Sequence, residues 1–577
     1  MEKTEISVLP ELSMFFSTLH SQSGEGRSAL LPCLFVAQEL YGYIPEFVVN
    51  EISSDLKIPT AEIDKVIEFY PLFHKVPVQK TILHVCNDPS CKMAGADTVF
   101  KMIRSGIGES SPYTEGVEIE KAPCLGLCAH NPSLHIQGEL LRIPIADRTN
   151  NLLVPSSKHT HTNIMGKNRL ITTNCGTGKT CTLMEYWKHD GYQALKNALA
   201  MDPAAVIEEI KVSSLVGRGG EAFLTGIKWE KAVIGDQKTR FLVCNACETD
   251  PLTFKDRVLM EDDPHRILEG MIIAAYAIQS HRGFIVINGE YELAFQILSQ
   301  AIIDSREAGL LGRNIMGSGF DFDIELRKQG GRYCSGEEIA LLESIEGKCA
   351  IPRGKPPFPT SKGLFNKPTV INNVETLCNI PVIFKMGAMN YRKIGTDTAK
   401  GTVLVCLAGD IKKPGLVEIP YGTTLREIIN DFGKGPDNEN RFFTALVGGI
   451  AGGFIRESDL DIEISLDMAT KNKLSLGSGS IVLFNEKRDL LKNLTRIARF
   501  FLTETCGKCS SCVNGIEQQV ILINKARSGT ITTRDCSKFN QICQEMDRSS
   551  DCRMGQFATN SFRSAMEEFP SLFVAKK

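Results

Sequence analysis

The sequence predicts a multidomain α/β protein. It is helical at both ends, alternates strands with helices through its centre, and carries a small β-rich module before the last helices. Three observations predict this. The chain has 577 residues, which at roughly 150 residues per domain gives about four domains. Hydrophobic residues make up 42% and charged residues 23%, ordinary globular usage that excludes every class lacking a packed core. The apolar period changes from helical to strand-like and back along the chain.

Residues 1–80 read as a helical bundle. Pro32 precedes Leu34, Ala37, Leu40 and Tyr41 at helical spacing, and Thr60-Ala61-Glu62-Ile63 has the form of a helix start. Residues 81–147 open with the strand Thr81 to Val85, which ends at Cys86, and continue with a helix near Gly95 to Ile103. Residues 148–190 are polar and poor in pattern and read as a linker. They contain Gly176-Thr177-Gly178-Lys179-Thr180, but Thr173 stands where a phosphate-binding P-loop needs glycine. Residues 191–400 alternate capped helices (Asp202-Pro203, Asp263-Pro264) with apolar strands (Phe241 to Val243, Phe284 to Ile287), the pattern of a parallel sheet covered on both faces. Residues 401–485 carry short strands, including Thr402 to Leu407 and Ser480 to Phe484. Residues 486–577 return to helix, with Leu490, Leu491, Leu494, Ile497, Ala498 and Phe501 on one face.

Charge and hydropathy exclude some functions. The formal charge of −3 offers no basic excess to neutralise phosphates, so nucleic acid is not an expected partner. The longest apolar run, Met271 to Ile278, falls far short of the ~20 residues that span a bilayer. The segment Met1-Glu2-Lys3-Thr4-Glu5 lacks the basic start of a secretory signal, and the expected compartment is cytoplasmic.

Nineteen cysteines in such a chain point to metal or redox chemistry rather than disulfides. Cys86 and Cys91 form one pair and Cys124 and Cys128 a second. Four thiolates at these spacings suit an iron–sulfur cluster or zinc. Cys506, Cys509 and Cys512 form Cys-x2-Cys-x2-Cys, which wraps one face of a cubane and needs a fourth ligand from elsewhere. Cys536, Cys543 and Cys552 are the downstream candidates. Between the two sets lies a glycine-rich loop, Val216 to Trp229, whose backbone amides suit phosphate.

Here a resemblance enters. Tyr41-Gly42-Tyr43-Ile44-Pro45, Phe69-Tyr70-Pro71-Leu72-Phe73 and the first four cysteines make residues 27–145 similar to the thioredoxin-like [2Fe-2S] subunit of NADH:quinone oxidoreductase. The glycine loop and five further groups resemble the FMN- and NADH-binding subunit of that enzyme. These groups are Asn245-Ala246-Cys247-Glu248, Thr253 to Arg257, Gly336-Glu337-Glu338, Lys355 to Pro359, and Asn372 to Thr376. Singly each reads as a turn, a solvated carboxylate or a core aromatic; together, in order, they mark residues 190–577. Similar subunits serve NAD-reducing hydrogenases and NAD-dependent formate dehydrogenases.

The resemblance implies a thioredoxin-like domain at 81–147, a Rossmann-like FMN domain at 191–400, a ubiquitin-like, soluble-ligand-binding-like module at 401–485, and a helical [4Fe-4S] domain at 486–577. It implies FMN, NAD(H), one [2Fe-2S] and one [4Fe-4S] cluster, with Cys552 in Ser550 to Gly555 as the fourth ligand of the latter. Gly217, Arg218, Gly219, Gly220, Thr225, Gly226 and Lys228 would hold the FMN phosphate and one side of the dinucleotide. Asn245, Glu248, Tyr333, Gly336, Glu337, Asn372 and Asn373 would line the flavin, with Thr376 beside them. Phe223 and Phe358 would flank adenine, and Glu338 would lie near the ribose and oppose NADPH. Lys508 would tune the cluster beside it.

The implied function is a diaphorase. A hydride passes from NADH to FMN and single electrons move on to the clusters, with no acid or base residue required, inside a complex with other redox subunits. The rival readings are an electron-transfer scaffold that has lost nucleotide turnover, and a zinc-bound interaction protein. Three departures from the family pattern bear on the choice. Glu221 and Ala222 interrupt Gly-Arg-Gly-Gly-Ala-Gly-Phe, Cys247 replaces an aspartate, and Leu252 replaces a glycine. Leu252 is expected to crowd the flavin and alter its site unless the loop backbone has moved. Glu221 is expected to repel phosphate unless the loop amides with Arg218 or Lys228 offset it.

Overall fold

The computed structural model describes residues 26–77, 81–87, 89–106, 117–122, 124–130, 132–136, 139–142, 162–235, 237–437 and 439–575. The part of the N-terminal bundle read over 1–25 lies outside them, as does the linker stretch 148–161.

The first helices form where the periodicity places them, at Leu30–Tyr41, Glu46–Leu56 and Thr60–Phe69. Their buried stripes include Leu34, Ala37, Val48, Ile52, Ile63 and Val66, and Ala340 and Ala350 of the central domain join the same apolar cluster. Polar contacts tie this seam. Tyr70 Oη donates to Lys348 O at 2.8 Å, and Arg332 Nε donates to Phe69 O at 2.8 Å.

The next unit is a four-stranded sheet. Thr81–Cys86 lies between Val117–Ala122, parallel to it, and Ser133–Ile136, antiparallel; Glu139–Arg142 closes the outer edge. Helix Ala96–Gly106 accompanies it. A mixed sheet of this size with a short helix after the first strand is the expected thioredoxin-like arrangement.

The central domain has a parallel four-stranded sheet in the order Asp323–Gln329, Arg282–Asn288, Phe241–Ala246, Thr369–Asn373. Its two central strands, Arg282–Asn288 and Phe241–Ala246, are near-continuous apolar runs, as burial on both faces requires. Helices Pro264–Ile278 and Val374–Met386 pack on one face, while Leu341, Leu342 and Ile345 of Glu338–Ile345 cover the other. The caps differ from expectation in detail. Neither Asp202 nor Asp263 caps the backbone amides of its helix through its side chain; Asp263 instead binds the Arg266 side chain of that helix at 2.8 Å and Asn174 at 2.9 Å.

The linker reading fails over 162–190. Ile171, Cys175, Cys181 and Leu183 are buried in the central core, and Ile164–Met165 pairs in parallel with Leu416–Val417. The buried Glu418 carboxylate organises the segment by accepting from Leu170 N, Ile171 N, Thr172 N and Thr172 Oγ1 at 2.6–3.1 Å. Polarity in this stretch therefore serves internal hydrogen bonds rather than solvation. The P-loop-like turn is no phosphate cradle at its first amide, because Gly176 N donates to Asp262 Oδ2 at 2.7 Å.

The β-rich module is a six-stranded sheet that includes the strand from the supposed linker. Hairpin Thr402–Gly409 and Gly415–Pro420 is followed by the helical turn Glu427–Phe432 and a return strand, Ser480–Asn485, parallel to the first. This is a ubiquitin-like path. The chain ends in helices Leu490–Glu504, Ser510–Ser528, Thr533–Ser549 and Asn560–Glu568, packed through Phe501, Ile516, Ile523, Phe539, Met546 and Phe562.

Candidate functional site

The central sheet puts Asn245, Asn372 and Asn373 at the carboxyl ends of adjacent strands, where open parallel sheets bind ligands. The glycine loop crosses this end and runs into helix Thr225–Val233. It is closed at its base by Gly217 N donating to Phe223 O at 2.8 Å and Thr225 N to Leu215 O at 2.8 Å. Among the described residues, the amides of Gly219, Gly220, Glu221 and Ala222 have no protein acceptor. The buried Thr225 Oγ1 is also unpartnered. Gly220 has φ +90°, which favours glycine, and a side chain on Gly219 would meet Asn373 Cβ at 3.1 Å. Unsatisfied donors at a helix N-terminus, in a loop kept bare of side chains, fit a phosphate ester. FMN therefore fits the residues present.

The other expected residues gather around this loop, with distinct tasks. Asn245 Nδ2 donates to Gly336 O at 2.8 Å, and Trp229 Nε1 donates to Asn372 Oδ1 at 2.9 Å. Asn373 accepts from Lys255 Nζ at 3.2 Å and donates to Asp256 Oδ2 at 2.6 Å. Thr376 Oγ1 accepts from Arg218 N at 2.9 Å. Glu248 is buried and receives Asp256 N and Arg257 N, each at 3.1 Å; burial, then the charge of Asp256, pushes its carboxyl up. Glu337 caps helix Glu338–Ile345 through Ile339 N and Ala340 N. Glu338 stands 3.8 Å from Lys228 and is bound by Lys355. Burial raises its carboxyl, but the two lysines outweigh that and hold it below the usual range. Phe223 and Phe358 are 41% and 56% exposed, open faces on which a planar ring can stack.

Three expected residues do other work. The Arg218 guanidinium turns away from the loop into the seam with the β-rich module. There it donates to Tyr421 Oη at 2.5 Å and Lys400 O at 2.8 Å and lies over the Tyr421 ring. Lys228, not Arg218, contacts Glu221. Gly226 lacks a side chain because Lys211 N and Cγ would lie 2.6 Å from it, a helix-packing need. Tyr333 is half-buried against Phe500 and Phe501, and its amide donates to Glu504 at 2.9 Å.

Sequence reasoning placed Lys255, Asp256 and Glu375 in the resembling stretches but gave them no role. Lys255 Nζ sits 2.8 Å from Asp256 and 3.1 Å from Glu375, all buried. The signal was the charge density of Lys255-Asp256-Arg257, which reads as a solvated face until the fold buries it. The expectation for Leu252 is corrected. Its backbone holds φ +89°, the glycine-like conformation, but its side chain is 2% exposed and packs with Ile450, Phe454 and the C-terminal helices. Ala222 likewise holds φ +52°.

The first four cysteines are buried. Cys86 ends its strand, Cys91 sits in the turn Pro89–Met93, and Cys124 Sγ lies 3.4 Å from Cys128 Sγ. Their loop docks on the central domain, with Arg257 Nε donating to Gly126 O at 2.8 Å. Gly126 has φ +67°, and a side chain there would overlap Tyr291, 2.6 Å from its hydroxyl and 2.8 Å from its ring. In the second set, Cys552 lies within electrostatic reach of Cys506 and Cys512, and Cys512 within reach of Cys506 and Cys509. Cys536 neighbours Asp535, and Cys543 neighbours Arg563 and Asp547. Lys508 bridges to Asp551 at 2.8 Å and to Pro352 O at 2.7 Å. Among the described residues, no three His, Cys, Asp or Glu side chains converge as a single ion needs. A cluster differs in keeping its ligand sulfurs apart with interposed iron and sulfide.

Comparison with known proteins joins these sites. Residues 16–154 match the thioredoxin-like [2Fe-2S] ferredoxin family, 210–382 the Nuo51 FMN-binding domain, and 492–576 the NADH-ubiquinone oxidoreductase-F iron-sulfur binding region. The F 2 subunit of the NADH-quinone oxidoreductase of Rhizobium meliloti is 40% identical over 394 residues, 68% of this chain and 94% of that protein. The HndC subunit of the NADP-reducing hydrogenase of Solidesulfovibrio fructosivorans is 41% identical over 411 residues, 70% and 83% of the two chains. A chain of an NAD+-reducing [NiFe]-hydrogenase in its H2-reduced state superposes with TM-score 0.80 at 26% identity, over 95% of this chain and 92% of that one. With its flavin loop, its two thiol sets and these matches, the chain belongs to the oxidoreductase-F family of NADH-quinone oxidoreductase subunits, with the thioredoxin-like [2Fe-2S] domain in the same polypeptide.

Proposed function

We propose that this chain is the NADH-oxidising diaphorase module of a larger redox complex, and that its carriers are held by the residues assigned above. One observation carries the reading. Arg553, the residue after Cys552, donates to Gly220 O at 2.7 Å, so the loop fitted to phosphate and the loop bearing the fourth thiol meet. When bound, FMN supplies the conversion between two-electron and one-electron transfer. The protein's part is positioning. The free loop amides and Lys228 receive phosphate, Phe223 and Phe358 offer stacking faces, and Glu338 sets a negative charge beside them.

Cys86, Cys91, Cys124 and Cys128 would hold a [2Fe-2S] cluster and Cys506, Cys509, Cys512 and Cys552 a [4Fe-4S] cluster, which would supply one-electron exchange with the partner subunits. The compartment is cytoplasmic. Among the described residues no helix is long and apolar enough to cross a membrane, and the partners include the hydrogen-, formate- or quinone-linked subunits with which such modules work.

The test is FMN and iron content of the purified protein, together with flavin bleaching by NADH. Stoichiometric iron with no flavin and no bleaching would favour the scaffold reading. Zinc in place of iron would sink both. For nucleotide choice, Glu338→Gln is expected to raise NADPH use on the order of 10²-fold more than NADH use, since a like charge near a second phosphate costs a few kcal/mol. Equal changes with both nucleotides would place Glu338 away from the ribose.

A further inference from the structure

We infer that Glu221 is an internal anion that holds Lys228 in place of a ligand phosphate, and so sets how tightly the glycine loop takes a phosphate ester. The inference deepens the flavin reading and rests on it.

Glu221 does not point to solvent. A side chain on Gly217 would lie 2.8 Å from Glu221 Oε1 and 3.0 Å from its Cγ, so the Glu221 side chain folds back over Gly217, on the inside of the loop. There its carboxylate meets Lys228 Nζ. Lys228 is fixed: its side chain is only 9% exposed, and its ammonium also donates to Ile371 O at 3.1 Å. The other cations nearby are engaged as well. Lys355 is bound by Glu337 and Glu338, and Arg553 by Gly220 O at 2.7 Å and Glu221 O at 3.5 Å.

The loop mouth thus sets Lys228 and Lys355 against Glu221, Glu337 and Glu338, with Arg553 held by loop carbonyls and Lys231 over the Phe223 ring. Its amides at Gly219, Gly220, Glu221 and Ala222 still lack acceptors. An incoming phosphate dianion gains those amides but repels the carboxylate beside Lys228. Of the two partners Glu221 is the one that can leave. Its side chain is 31% exposed and can turn to water, while Lys228 cannot. The free energy of displacing Glu221 is subtracted from phosphate binding, and a ligand without phosphate does not incur it.

The test uses the full chain stripped of flavin, with FMN and riboflavin as paired probes in fluorescence titrations. Glu221→Gln, nearly isosteric, and Glu221→Ala should each tighten FMN on the order of tenfold while leaving riboflavin unchanged. Lys228→Met should weaken FMN, and adding Glu221→Gln to it should restore less than in the wild type, because the pair acts as a unit. A second arm uses ADP-ribose on the flavin-loaded protein. Tightening there and not with FMN would make the displacing phosphate the dinucleotide's, with the inference intact. Equal affinities of wild type and both Glu221 variants for all three probes would overturn it while leaving the flavin reading standing. FMN bound by none of the proteins would overturn the flavin reading itself.

Discussion

The two thiol sets do related chemistry in opposite settings. Cys86, Cys91, Cys124 and Cys128 are all buried, in a unit whose own core is small, and their second loop is roofed by Tyr291 and Arg257 of the central domain. Cys506 and Cys509 are half-buried at the start of a long helix, beside a large helical core. The first site is protected by a neighbouring domain and the second is braced by its own. The ligand frame of a small unit therefore depends on docking, whereas a helix-borne frame persists through its own packing and leaves its thiols nearer water. Clusters exposed to solvent are the ones reached first by chelators and oxidants.

The largest expected break of this comparison is at the fourth ligand. Cys552→Ser should lower the iron content from about six to about two per chain and remove only the [4Fe-4S] signal. Cys536→Ser should change neither, since the charge acting on Cys536 is that of Asp535, whereas Cys552 and Cys512 feel the other thiols of the set. Loss of the signal in Cys536→Ser would reverse the assignment. Next in size is the seam behind the helical core, where Leu252 of the central domain packs. Leu252→Gly relieves a left-handed backbone worth about 1–2 kcal/mol but removes a buried side chain worth about 2–5 kcal/mol, so packing wins. The protein should melt lower by calorimetry and release iron from the C-terminal cluster earlier on heating, with FMN affinity unchanged. A rise in FMN occupancy would show that Leu252 crowds the flavin after all.

How much was legible follows from what each feature rests on. Helices at Leu30–Tyr41, Pro264–Ile278 and Leu490–Glu504 and the central strands could be read because local period and burial agree there. Cys-x2-Cys-x2-Cys was legible because its geometry is local. The strand Ile164–Met165 was not, since two residues carry no period and their pairing with Leu416 and Val417 is some 250 positions away. The direction of a side chain was equally hidden. Arg218 sits among loop glycines yet serves Tyr421 and Lys400, and Leu252 occupies a glycine position yet packs behind it. Position in a motif fixed the backbone, and tertiary contacts decided where the side chain went.

The smallest expected effect sharpens the comparison at the brace. Asp250 sits in the seam between the flavin-side loop and the β-rich module, with Ser478 Oγ donating to it at 2.5 Å and Ile450 N at 3.5 Å. Burial raises its carboxyl from 3.8 to about 7, against the lowering effect of those two bonds. The native state therefore holds a proton that the unfolded chain releases between about pH 4 and pH 7. With more protons on the native side, stability falls as pH rises through that window, and the loss is complete above it. Asp250→Asn keeps the shape, still accepts from Ser478 and removes the buried charge. The variant and wild type should melt alike at pH 5, and the variant should melt higher at pH 8. A variant that melts lower at both values would mean that the Asp250 carboxylate is worth more to this seam as an ion than its burial costs.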